Sequence, residues 1–156
     1  MEAGIAIYVW SLEEIVDLLK YRHMSTEHVA LERVKAQLQK RGFDFVPKAR
    51  NSSGGNIHAK RGNQQLRIAV KGLAKRNGVW LKERQVASVD IIVIYLIQDD
   101  DVWVFSPAEA RALLVNYRAD FILRNGRPPA AEGFNWSELP MPSGWSALDR
   151  LIPPAN

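Results

Sequence analysis

NIHAKRGNQQLRIAVKG, residues 56–72, is the stretch on which the fold turns. Residues 56–60 and 65–71 are strand-like, and Arg61-Gly62-Asn63-Gln64 joins them, with Gly62 supplying the backbone freedom of a tight reversal, so a β-hairpin is expected. Downstream, residues 91–97 (IIVIYLI) form a continuous β-branched and aromatic run. A strand covered on both faces reads this way, which makes it the expected centre of the sheet. Asp99-Asp100-Asp101 then turns the chain into a further strand over 102–105.

Helices are expected on either side of this β-rich middle. Ser25 or Thr26 caps a helix over 26–40, whose Val29, Val34 and Leu38 share a face and which Gly42 stops. A short strand over 43–46 follows, ended by Pro47, and then the turn-forming loop Asn51-Ser52-Ser53-Gly54-Gly55. Ser106-Pro107-Ala108-Glu109 places serine at N-cap, proline at N1 and glutamate at N3 of a helix expected to reach about Tyr117. Residues 72–78 read as a basic loop and 79–81 as a short strand. The Gly-, Pro- and Trp-rich tail from 125 is expected to wrap over the core, with a helical turn near 147–151. Ser11 and Glu14 make a capping box for an amphipathic helix over 12–21. The expected organisation is an N-terminal extension (1–23), a core domain (24–120) and a wrapping tail (121–156).

At 156 residues the chain suits one hydrophobic core. No run approaches the ~20 apolar residues of a membrane span, and no basic segment precedes the apolar stretch 4–10 as a signal peptide requires. The absence of cysteine excludes disulfides, thiol catalysis and Cys-ligated zinc, and a cytoplasmic location is expected. The net charge of +4 is unevenly spread: between Arg33 and Arg84 lie 14 Lys/Arg against Asp44 and Glu83, giving +12, while the rest of the chain carries −8. Such a block attracts polyanions, because each phosphate neutralised releases counterions. The alternative is a merely solvated surface. His23, His28 and His58 lack metal-ligand spacing, and no Ser-His-Asp order, Walker loop or Rossmann glycine pattern is present.

The order helix, strand, Gly-rich loop, hairpin ending in Val70-Lys71-Gly72, buried strand, strand, capped helix resembles the PD-(D/E)XK nuclease-like (restriction-endonuclease-like) superfamily, in particular its small bacterial members. The matching text is Gly54-Gly55-Asn56-Ile57-His58-Ala59 and Leu66-Arg67-Ile68-Ala69-Val70-Lys71-Gly72, with Glu32 and Arg41-Gly42-Phe43 upstream. The likeness runs from about Ser25 to Tyr117 through short, degenerate motifs. It implies an α/β fold, a central mixed sheet flanked by helices.

In that family two acids hold a divalent cation that activates water and stabilises charge on the scissile phosphate, while a lysine polarises the attack. Here the acids fall on Asn56 and Ala69, and only Lys71 is retained, with Glu32 as the helix acid. An amide oxygen is a weak, uncharged ligand and alanine is none. The resemblance therefore implies a degenerate site without bound metal. Mg²⁺ would enter only if a displaced acid, Glu83 or Asp90, restored it. The bland readings are that Glu32 is a solvent-facing acid, that Glu83 pairs with Lys82 or Arg84, and that Lys71 guards a sheet edge. The expected nucleic-acid contacts are Arg50, Lys60, Arg67, Lys75, Arg76, Lys82 and Arg84, with Trp80 either stacked on a base or packed in the core. The functional expectation is nucleic-acid binding without cleavage. The alternatives are an immunity, anti-defence or adaptor module that docks an acidic protein, and a metal-dependent nuclease with a relocated acid.

Overall fold

A computed structural model describes Leu12 and residues 25–46 and 55–154. Helix α1 (Thr26–Lys40) has the expected bounds for local reasons. The Ser25 hydroxyl accepts from the His28 N–H at 3.2 Å, and beyond the last turn Gly42 takes φ +80°. Strands β1 (Asp44–Phe45), β2 (Ile57–Arg61) and β3 (Gln64–Leu73) follow as an antiparallel meander. β4 (Gly78–Trp80) and the short α2 (Glu83–Ala87) make the crossover to β5 (Ile91–Leu96), which lies parallel to β3. β6 (Asp101–Phe105) returns antiparallel beside it, so the main sheet is mixed, in the order β1-β2-β3-β5-β6.

Both faces of β5 are covered and all six of its residues are buried, as its unbroken apolar run requires. Ile91, Val93 and Tyr95 point into a layer with Val34, Leu38 and Phe43 from α1 and its exit. Ile92, Ile94 and Leu96 point the other way, against Leu81, Val86 and Phe134. β3 alternates likewise: Ile68 and Val70 face the α1 layer and Ala69 the opposite one.

Four local expectations need correction. Gly72 and Leu73 belong to β3, not to a basic loop, because they pair with Tyr95 and Leu96. The short α2 had no periodic signal to announce it. α3 (Pro107–Asn125) begins at its Ser106 capping box but runs eight residues past Tyr117, ending only where Gly126 takes the left-handed conformation. Apart from Ala110 its residues are not fully buried, so the burial pattern that marks most helices fades along it. The tail contributes β7 (Gly133–Asn135), paired antiparallel with β4, before α4 (Ala147–Leu151) seats Leu148 in the α1 layer. The helix expected over 12–21 lies, Leu12 apart, outside the described residues. No described helix is long and apolar enough to cross a membrane.

Two arginines of the basic block hold this tail in place. Arg41 grips Asp149 at 2.7 and 3.1 Å, and Arg61 lies over the Phe43 ring while donating to the Arg41 and Pro153 carbonyls. At the β5–β6 turn, Tyr95 donates its hydroxyl to Asp100, and burial, then that bond, pushes the phenol up to about 12 from 10.0 although Arg33 opposes it. The folded state keeps this proton across the interval in which the unfolded chain has lost it, so stability falls as pH rises from about 10 to about 12. Denaturant midpoints measured across that interval should fall in the wild type and fall less in Asp100→Asn.

Candidate nucleic-acid interface

β2 and β3 part company at Asn56. The last strand pair before the divergence is Ile57 with Ile68, and Gly55 takes φ +76° with its Cα hydrogen against the Ile68 carbonyl, where a Cβ would approach to 2.5 Å. Asn56 closes the opened ladder: its N–H donates to the Ile68 carbonyl at 2.9 Å and its Oδ1 accepts from the Val70 N–H at 3.1 Å. The amide Nδ2 then donates to Glu27 Oε1 at 2.7 Å. A backbone N–H can only donate, so the amide orientation follows from its partners. An aspartate here could satisfy Val70 but would set a second carboxylate against Glu27.

Beyond this fork β3 continues without β2, and Lys71 stands there, partly buried. Burial holds its ammonium below the ordinary lysine range; the Glu27 carboxylate pulls the other way and the Lys82 charge reinforces the depression. Glu27, Asn56, Lys71 and Lys82 thus form one neighbourhood. Ala69 is on the same face of β3 as Lys71 but is buried at 1% exposure in the layer with Leu81 and Val86. Because folded Lys71 gives up its proton at lower pH than the 10.5 of an unfolded lysine, its charge costs stability below that window, and stability recovers as pH climbs through it. Lys71→Met is therefore expected to raise the thermal midpoint at neutral pH, with the gain shrinking as pH approaches 10.5.

The helix acid at this site is Glu27, and Glu32, expected from the sequence, is not. Five residues on, Glu32 is turned about 140° round α1, and it pairs with Lys35 at 3.3 Å. Glu27 carried a signal that went unread: one turn before Ala30, it shares the face that crosses β3 at Gly72, where a Cβ would meet the Thr26 carbonyl at 2.5 Å.

Neither proposed replacement acid reaches Lys71. Asp90 precedes β5 and clamps Arg67, accepting from its backbone N–H at 2.8 Å and from its guanidinium at 3.3 Å, about 13 Å along the strand from Lys71. Glu83 faces Arg111 at 3.6 Å, and its N–H donates to Glu132. Its pairing with Lys82 or Arg84 is thus replaced by a contact to α3. No group of three or more metal-ligating side chains occurs among the described residues.

The basic residues divide into three sets. Strand register puts His58 opposite Arg67 and Lys60 opposite Gln65, so Lys60, Arg67 and Lys71 share one face of the hairpin. The apolar layer under α2 and α3 begins only at Ala69, and Lys60 and Arg67 are exposed. Arg76 lies at the other end of β3, paired with Asp99 at 3.1 Å and stacked over Trp136 at 5.0 Å, with exposed Lys75 beside it. Arg84 turns away towards α3, into a cavity of about 630 Å³ that it lines with Arg111, Arg118 and Ile122. Arg50 lies outside the described residues. Trp80 is 66% exposed, which disposes of its reading as a core residue. Comparison of the chain with protein-family models, curated proteins and solved structures finds no match.

Proposed function

We propose that this chain is a catalytically degenerate domain of the restriction-endonuclease-like type that binds nucleic-acid phosphates on the sheet face around Lys71 without cutting them. The observation that carries the proposal is the alternation of the hairpin and β3, which puts Lys60, Arg67 and Lys71 on one face of the sheet, Lys60 and Arg67 exposed and Lys71 half-buried. The resemblance assigns the two metal-binding acids to Asn56 and Ala69, neither of which carries a charge. Lys82 adds a second cation beside Lys71. Phosphate binding needs only such a cationic face, whereas hydrolysis needs a metal to generate the nucleophile. Glu27, already engaged by the Asn56 amide, brings one carboxylate to this site, and no group of three or more metal-ligating side chains occurs among the described residues.

Fluorescence anisotropy with a labelled oligonucleotide tests this reading. If about three phosphates are neutralised, affinity should fall roughly 40-fold for a duplex and roughly 20-fold for a single strand between about 50 and 200 mM salt. No cleavage should accompany binding in Mg²⁺ or Mn²⁺. Salt-insensitive binding, or none at low salt, would sink the reading.

A second reading, docking of an acidic protein, is favoured by one specific feature. Arg84, Arg111 and Arg118 line the α3 cavity together with exposed Val115 and Ile122, against two acids, Glu83 and Glu132, of which Glu83 pairs with Arg111. A pull-down that returns a stoichiometric acidic protein free of nucleic acid would favour it.

A further inference from the structure

Trp80 lies on the two-stranded β4–β7 ribbon, with the edge of its ring over Gly78, where a Cβ would come within 3.8 Å of it. Beside it opens a slot of about 220 Å³, walled by Trp80, Tyr117, Phe121, Pro129 and Asn135. Tyr117 and Phe121 are one helical turn apart on α3, their ring centroids 6.0 Å apart and tilted by 51°. Tyr117 also packs against the core layer below, while Phe121 belongs to the extension of α3 beyond it, so α3 supplies one wall of the slot and the ribbon the other. Trp136, 37% exposed, follows β7 directly and carries the Arg76 guanidinium on its ring. Exposed Lys75 is next to it in the chain.

We propose that this slot takes an unstacked nucleobase, which makes the partner single-stranded nucleic acid. The inference rests on the nucleic-acid reading above and names the form of that ligand. Every base has a π-face that stacks on tryptophan or tyrosine whatever its identity, and only a base free of its own duplex can offer that face between two protein walls. The Asn135 amide on the slot wall has both a donor and an acceptor to meet a base edge. Lys75 and the Lys60–Arg67–Lys71 face place cations at both ends of β3, as a backbone that leaves the slot requires.

The full chain is titrated with short oligo(dT) and with a duplex of the same length, following anisotropy and tryptophan emission. Oligo(dT) should bind more tightly than duplex and quench the emission, and Trp80→Ala should weaken oligo(dT) binding about tenfold or more while sparing duplex. Trp80→Phe, which keeps a stacking face, should retain most of the affinity. Because Trp80 is exposed, both variants should fold, as circular dichroism will verify. Equal affinity for the two forms, unchanged by Trp80→Ala, overturns the base slot and leaves the phosphate face standing. Failure of both forms to bind at low salt overturns both proposals. Emission that changes with protein concentration and not with oligonucleotide assigns the slot to a second copy of the chain and overturns the base slot.

Discussion

Gly72→Val is expected to cost about 3 kcal/mol or more of unfolding free energy, because α1 rests directly on the backbone of β3 at this point. Even a single Cβ would stand 2.5 Å from the Thr26 carbonyl oxygen and 3.0 Å from the Ala30 Cβ. Neither obstacle is the end of a flexible side chain; both belong to the first turns of α1, so the helix itself must move. Packed interiors yield little to such insertions, and total stability is only about 5–15 kcal/mol. The loss corresponds to a thermal midpoint lower by roughly 10 °C for a chain of this size. Gly62→Ala is the control. Unlike Gly72 it takes the left-handed conformation, at φ +58°, but it has nothing within 4 Å, so the substitution should cost only about 1 kcal/mol. Calorimetry that finds the two variants alike would contradict the close approach of α1 to β3. The substitution reaches function too, since lifting α1 withdraws Glu27 from Asn56.

The second large effect is expected from reversing Lys71 and Lys82 together. Each lysine that meets a phosphate contributes about one unit to the slope of log affinity against log salt, so the double reversal to glutamate should flatten that slope by about two. At low salt the affinity should fall by about two orders of magnitude, since attraction is replaced by repulsion and not merely removed. Arg67→Glu should do less through charge, because Asp90 already balances the guanidinium. Lys71→Met separates the two roles of the residue, expected to be more stable at neutral pH and yet weaker on oligonucleotide. Double-reversal protein that is folded and binds with unchanged affinity would move the interface away from this face.

How much of this was legible in the sequence depended on how local each cause was. α1 was readable in its extent because its N-cap, open between Ser25 and Thr26 and settled on Ser25, and Gly42 act within one turn of its ends. β5 was readable because burial on both faces leaves an unbroken apolar run, and the start of α3 because a capping box is a four-residue pattern. The far end of α3 was not, since beyond Ala110 none of its residues is fully buried and the apolar pattern fades. Pairing of β4 with β7 joins residues some 55 positions apart through three-residue strands, too short to carry periodicity.

At the site, Asn56, Ala69 and Lys71 were singled out through the resemblance; the structure adds that the Asn56 Oδ1 accepts from the Val70 N–H, next to Lys71. The acid that faces them was misread, Glu32 for Glu27, since the rotation of a helix about its axis is set by what it packs against. Here that contact is Gly72 against Thr26 and Ala30. The +12 block was visible as charge, but charge counting cannot tell a free cation from one already held. Arg41, Arg61, Arg67 and Arg76 proved to be engaged by Asp149, the Pro153 carbonyl, Asp90 and Asp99.

By itself, then, the sequence determined α1, the hairpin, the buried central strand and the start of α3, all of which depend on neighbours within one turn, one strand or one hairpin. Only the tertiary structure decided which helix acid meets Asn56, which cations remain on an open face, and that Trp80 stands exposed beside an aromatic slot. Those outcomes depend on contacts between residues tens of positions apart, whose energies arise only once the layers have packed.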